Sequence, residues 1–131
     1  MKEIVIVTEN RAGLVADISE ALGSRGINIE TLDAEEVHDL AVVELTVDRY
    51  DEALAALRDA GFDAISEDAL VIRLSDEPGA LARVAKRFKD AGIDLRSIRI
   101  IRRQQGSALV ALATERTAQA RALVKDCLIR E

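Results

Sequence analysis

The chain has 131 residues, 49% of them apolar, and 24 acidic against 18 basic residues give a net charge of −6. An acidic chain lacks the basic surface that phosphate backbones require, so nucleic acid and anionic membranes are excluded as expected partners. No apolar run approaches a membrane span, no secretory leader pattern opens the chain, and the single cysteine, Cys127, allows no internal disulfide; a cytoplasmic protein is expected.

In chain order, the apolar run Ile4-Val5-Ile6-Val7 reads as a strand. It leads into the turn Thr8-Glu9-Asn10-Arg11-Ala12-Gly13-Leu14. A helix from Gly13 to Ser24 follows, with Leu14, Ile18 and Leu22 on one face. Gly26 suits the left-handed conformation that stops a helix. A second strand is expected from Ile27 to Glu36, a hairpin connection at Val37-His38-Asp39, and a third strand from Ala41 to Val47. Asp48 is the expected N-cap of a second helix, which carries Leu54 and Leu57 inward and ends at Ala60-Gly61. Phe62 to Ile65 gives a short fourth strand.

The order then repeats: a strand over Leu70–Leu74, a helix over Gly79–Ala91, a strand over Ile93–Arg103, a turn at Gln104-Gln105-Gly106, a strand over Ala108–Ala113 and a helix over Thr117–Cys127. Gly13 matches Gly79, Ala16 matches Ala82, Gly26 matches Gly92 and Ile27 matches Ile93 at a constant spacing, which marks an internal duplication. Residues 128–131 leave little room for a full fourth strand in the second copy. The expected organisation is therefore two units, 1–66 and 67–131, each a ferredoxin-like βαββαβ module of the α+β class, with an antiparallel sheet and both helices on one face. Units of this size are marginal alone, so the copies are expected to pack together.

The turn after each first strand holds a glycine and leaves backbone N–H groups open at a helix start, which favours an anion such as a carboxylate. The second of these, Asp76-Glu77-Pro78-Gly79-Ala80-Leu81-Ala82, resembles the signature turn of ACT domains, small-molecule-sensing modules attached to many enzymes of amino-acid metabolism. The first copy, with Asn10 through Gly13 and then Gly26-Ile27-Asn28-Ile29, is similar to the serine-sensing ACT domain of phosphoglycerate dehydrogenases. Thr8 stands where that family carries a ligand-binding histidine and Ala12 where it carries a proline, so the resemblance implies an amino acid or similar zwitterion, not serine in particular. The binding residues it implies are Asn10, Arg11, Ala12, Gly13, Leu14 and Asn28 in the first copy, and Asp76, Glu77, Pro78, Gly79, Ala80 and Asp94 in the second. Paired as ACT domains pair, the copies would set Asn10 near Asp94 and Asp76 near Asn28.

The resemblance implies a stand-alone regulator without a cofactor, acting on an enzyme partner. A module that only assembles is the alternative, and the same asparagines and aspartates serve equally as ordinary turn residues. Catalysis is not expected: the lone histidine, His38, supports no nucleophile set, and no cysteine or histidine cluster offers metal ligands. Arg11 in the first turn leaves an acylphosphatase-like enzyme as a third class. Strands apolar on both faces, such as Ile4–Val7 and Ala108–Ala113, are usually covered on both, which predicts a homodimer through the helix-free faces.

Overall fold

The computed structural model describes residues 2–37, 40–66, 68–115 and 117–129. The chain divides into two compact units, Met1–Glu67 and Asp68–Glu131. Unit 1 runs β1 (Ile4–Glu9), α1 (Leu14–Gly23), β2 (Ile29–Val37), β3 (Leu40–Val47), α2 (Tyr50–Asp59) and β4 (Ala64–Ser66). Its sheet is antiparallel with order β2-β3-β1-β4. Unit 2 runs β5 (Leu70–Ser75), α3 (Ala80–Ala91), β6 (Leu95–Gln104), β7 (Ser107–Thr114) and α4 (Thr117–Leu123), with sheet order β5-β7-β6. Both are ferredoxin-like βαββαβ units of the α+β class. His38, read above as a solvated loop residue, lies outside the described residues.

The period of two in the strands meets the period of 3.6 in the helices on one face of each sheet. In unit 1, Ile4, Ile6, Val43 and Leu45 pack against Leu14, Ile18 and Leu22 of α1 and Ala53, Ala56 and Leu57 of α2. In unit 2, Leu70, Ile72, Val110 and Leu112 pack against Val84 and Phe88 of α3 and Ala120 of α4. Fully burying one large apolar side chain contributes about 1.5–3 kcal/mol, so these clusters carry each unit. On the opposite faces Val5, Val7, Val42 and Ile65, and Val71, Leu109 and Ala111, are also buried.

Three expectations need correction. Asp48 does not cap α2; Arg49 stands at that position without a side-chain cap, and Asp48 Oδ1 instead accepts the Asn28 N–H at 3.1 Å. The carboxylate is nearer the donor at the start of β2 than the donors of its own helix. The last helix ends at Leu123, short of Cys127. The chain turns there because residues 127–129 bond back to β5: Arg73 N–H donates to Cys127 O at 2.9 Å and Ile129 N–H to Val71 O at 3.1 Å. This single bridge, Ile72 opposite Leu128, is all the fourth strand that the described residues of unit 2 supply. The second strands start at Ile29 and Leu95, two residues later than expected, while Ile27 and Ile93 drop into the cores.

Arg87 of α3 holds the segment after α4, with Nη1 on Asp126 Oδ1 at 2.7 Å, Nη2 on Asp126 Oδ2 at 3.1 Å and Nη1 on Leu123 O at 3.1 Å. Hydrogen bonds from Arg87 hold the Asp126 carboxyl below its usual range. A carboxyl depressed on folding contributes stability that is present above its unfolded pKa and lost as pH falls through the folded one. The pair is exposed, so its contribution is below about 1 kcal/mol.

Two outcomes are expected. Phe88→Ala, at a side chain only 1% exposed, destabilises unit 2 by about 3–5 kcal/mol in urea unfolding. Asp126→Asn lowers stability slightly at neutral pH and leaves it unchanged in strong acid, where the wild-type carboxyl is already protonated; urea midpoints across the acid range check this.

Candidate functional site

The register of unit 1 brings three chain segments to one end of the sheet. Thr8 of β1 lies opposite Ala41 of β3, and Ala41 lies opposite Glu36 of β2. The turn beyond β1 therefore hangs over the end of β2. Asn10 Nδ2 donates to Glu36 Oε2 at 3.1 Å. Gly13 starts α1 with φ +82°, a left-handed conformation that turns the chain from strand to helix within one residue. The first turn of α1 receives no side-chain cap, and the first helical bond is the Asp17 N–H to Gly13 O at 2.9 Å. The N–H groups of residues 14–16 thus have no intrahelical acceptor and carry the positive end of the helix dipole.

Between that helix start and β2 lies a cavity of about 390 Å³, lined by Asn10, Arg11, Gly13–Ala16, Ala34, Glu35, Glu36 and Ala41. The side chains of Ala34 and Ala41 are short, which leaves the space open. One wall is electropositive through backbone N–H groups and the other carries the Glu36 carboxylate, while Glu35, whose side chain lies on the sheet face away from the helices, contributes only backbone. Arg11, in the turn, pairs with Asp17 of α1, with Nη1 to Oδ2 at 2.6 Å, so it is engaged and not poised over a phosphate-like group.

Unit 2 repeats the construction with its polarity reversed. Gly79 takes φ +87° and α3 likewise has no side-chain cap. The bond that Asn10 makes to Glu36 is replaced by Arg103 Nε donating to Asp76 Oδ1 at 3.2 Å. Glu77 accepts from Ser75 Oγ and from Arg83 Nη2, each at 3.2 Å. The acidic groups of this turn are therefore matched by arginines.

The residues expected from sequence separate into two groups. Asn10, Arg11, Gly13 and Leu14 meet at the cavity, although the Leu14 side chain is buried and offers only its backbone. Ala12 and Pro78 sit exposed in their turns, and Ala80 is buried beneath its own. Asn28 and Asp94 lie at the opposite ends of their own sheets. Asn28 donates its backbone N–H and, at 3.5 Å, its side-chain amide to Asp48. Asp94 accepts from Thr114 Oγ1 through its carbonyl at 3.0 Å, beside a second cavity of about 370 Å³ that includes Phe88, Lys89 and Gly92. Sequence reading missed Glu35, Glu36 and Ala34. The sheet order explains why, because a β2-β3-β1 arrangement must bring the end of β2 to the end of β1.

Among the described residues, no group of three His, Cys, Asp or Glu is arranged to hold a metal ion, and no helix is long and apolar enough to cross a membrane.

The ACT domain family matches residues 2–62 and 69–125, so the chain belongs to the ACT family, as two ACT domains in tandem. No curated protein matches it in sequence. Similar solved structures include protein BT0572 from Bacteroides thetaiotaomicron, with 25% identity over 95% of this chain and 86% of that one and a TM-score of 0.48. The regulatory subunit of aspartate kinase from Thermus thermophilus matches at 20% identity over 95% and 90%, with a TM-score of 0.45. An unknown protein from Galdieria sulphuraria matches at 17% over 95% and 91%, with a TM-score of 0.43.

Replacing Gly13 with Ala puts a Cβ on a left-handed residue, which meets open space but costs about 1–2 kcal/mol in backbone strain. Gly13→Ala is expected to lower stability by that amount in urea unfolding, whereas Gly23→Ala at the helix end is expected to cost nothing.

Proposed function

We propose that this protein is a regulatory sensor that binds an amino acid, or a similar small zwitterion, at the turn between β1 and α1. The ACT family is one of regulatory modules, and both halves of the chain belong to it. The observation that carries the proposal is the cavity of about 390 Å³, which sets an uncapped helix N-terminus against Glu36. Its size is within the range of about 300–1,000 Å³ found for small-molecule sites. A ligand carboxylate would lie on the N–H groups at Leu14–Ala16, and its ammonium would take Glu36, with Asn10 orienting that carboxylate. Such a site rewards opposite charges at the two ends of one small molecule. Asn28 and Asp94 complete the proposal as polar groups that a neighbouring ACT domain offers to a bound ligand, and occupancy would be relayed to an enzyme partner.

The second reading is a module that binds nothing and only assembles. It is favoured by one observation: Asn10 and Arg11 already have partners within unit 1.

A thermal-shift series over the standard amino acids separates the two. A ligand at a hundred times its Kd stabilises by about 2.7 kcal/mol, so a sensor gives a clear rise in Tm with its own amino acid. Glu36→Gln is expected to reduce that rise strongly. Ala34→Leu, at an exposed position on the cavity wall, is expected to abolish it by filling the space without unfolding the protein. No rise with any amino acid, or a rise that both variants retain, would leave the assembly module as the better account.

A further inference from the structure

The cavity of unit 1 has more wall than the two charged ends of an amino acid would use, and that remaining wall is apolar. From the sheet it takes Ala34 and Ala41, both on the helix side: Ala34 lies opposite Val43, and Val43 and Ala41 belong to the core. From α1 it takes Val15 and Ala16, beside the buried Leu14. The polar side chains on the lining are already committed, Asn10 to Glu36 and Arg11 to Asp17.

Val15 is the informative residue. It is 43% exposed, the one large hydrophobic of unit 1 left exposed among the described residues. It does little for the helix, because a β-branched residue is a weaker helix former than alanine or glutamate, and a carboxylate in this first turn would gain from the dipole. It does little for the core, because the buried stripe is Leu14, Ile18 and Leu22 and Val15 stands one residue off it. The second copy differs. Leu81, which matches Val15 at the spacing of Gly13 to Gly79, is partly buried against the core of unit 2. In unit 1 the apolar group at this position lines the open recess instead.

We infer, given that this cavity is the amino-acid site proposed for it, that the ligand's side chain is aliphatic and that Val15 and Ala34 select it. Methyl groups on the helix wall and the sheet wall take an alkyl side chain out of water, whereas a hydroxyl, amide or charge there gives up water without gaining a partner. An acidic side chain would in addition meet the Glu36 carboxylate. The lining holds no ring against which an aromatic side chain could stack. An apolar pocket rejects an added hydroxyl by up to about a hundredfold. Val15 and Ala34 are both exposed, so this recess belongs at the lower end, at about tenfold.

Titration calorimetry of the full chain with each standard amino acid tests this. Valine, leucine or isoleucine is expected to bind most tightly. Valine is expected to exceed threonine, which has the same shape with a hydroxyl in place of a methyl, by about tenfold. Val15→Thr is expected to bring that ratio to about threefold or less, and to leave the Tm of the free protein unchanged, because Val15 lies outside the core. Glu36→Gln is expected to weaken every amino acid that binds in this cavity, whatever its side chain. Tightest binding by a polar, charged or aromatic amino acid, weakened by Glu36→Gln, overturns the aliphatic selection and leaves the sensor standing. A ratio of valine to threonine that Val15→Thr does not move overturns the part given to Val15. Binding of no amino acid at all overturns the selection and the sensor together.

Discussion

The antiparallel ladder between the two central strands of each unit sets everything else. In unit 1, β1 and β3 pair from Ile4 opposite Leu45 to Glu9 opposite Leu40, and each contributes side chains buried on both faces of the sheet. Such a ladder cannot slip by one residue without turning every buried side chain to the other face. Its register therefore determines where β1 ends, where α1 begins and which residue of β2 stands beside that junction. The contact between Asn10 and Glu36 is a consequence of that register, two strands removed from its source.

The helices respond to the same ladder. Leu14, Ile18 and Leu22 of α1 fall on one stripe because the helix meets the sheet on one side only, at Ile4, Ile6, Val43 and Leu45. Anchoring Leu14 by its side chain commits its backbone N–H to the upper, open side of the turn. Gly13 makes this possible, since only a left-handed residue brings the chain round so abruptly. In unit 2, Ala80, Val84 and Phe88 play the same part after Gly79, but Arg103 lies over the turn where unit 1 has Glu36. A duplicated fold has thus kept its packing and exchanged its electrostatics, as expected when core positions are constrained by volume and surface positions only by sign.

Most of the architecture was legible because it is written in periodicity. The switches between alternate and helical spacing marked each element, and the matched glycines marked the duplication. Gln105 and Gly106 take φ of 51° and 78°, the mirror-image turn that joins strands closely, as Gln104-Gln105-Gly106 suggested. What misled was local chemistry with two possible owners. Asp48 had the form of a helix cap, but the Asn28 N–H across the sheet end claimed it. Apolar spacing through Val124 and Cys127 continued a helical pattern that hydrogen bonds to β5 interrupt. The cavity was half legible: the turn shows as a motif, whereas Glu35 and Glu36 belong to it only through strand order, which no local window contains.

The reversed pair at the two turns has a consequence for stoichiometry. Under the proposed binding, an ammonium that Glu36 would read in the first unit would meet a guanidinium, Arg103, at the corresponding place in the other half. Ile100 stands at the register position of Ala34. Two domains of one ancestry would then yield a single equivalent of ligand per chain. Saturation within one chain would follow a simple hyperbola, and any sigmoid response would have to arise between chains.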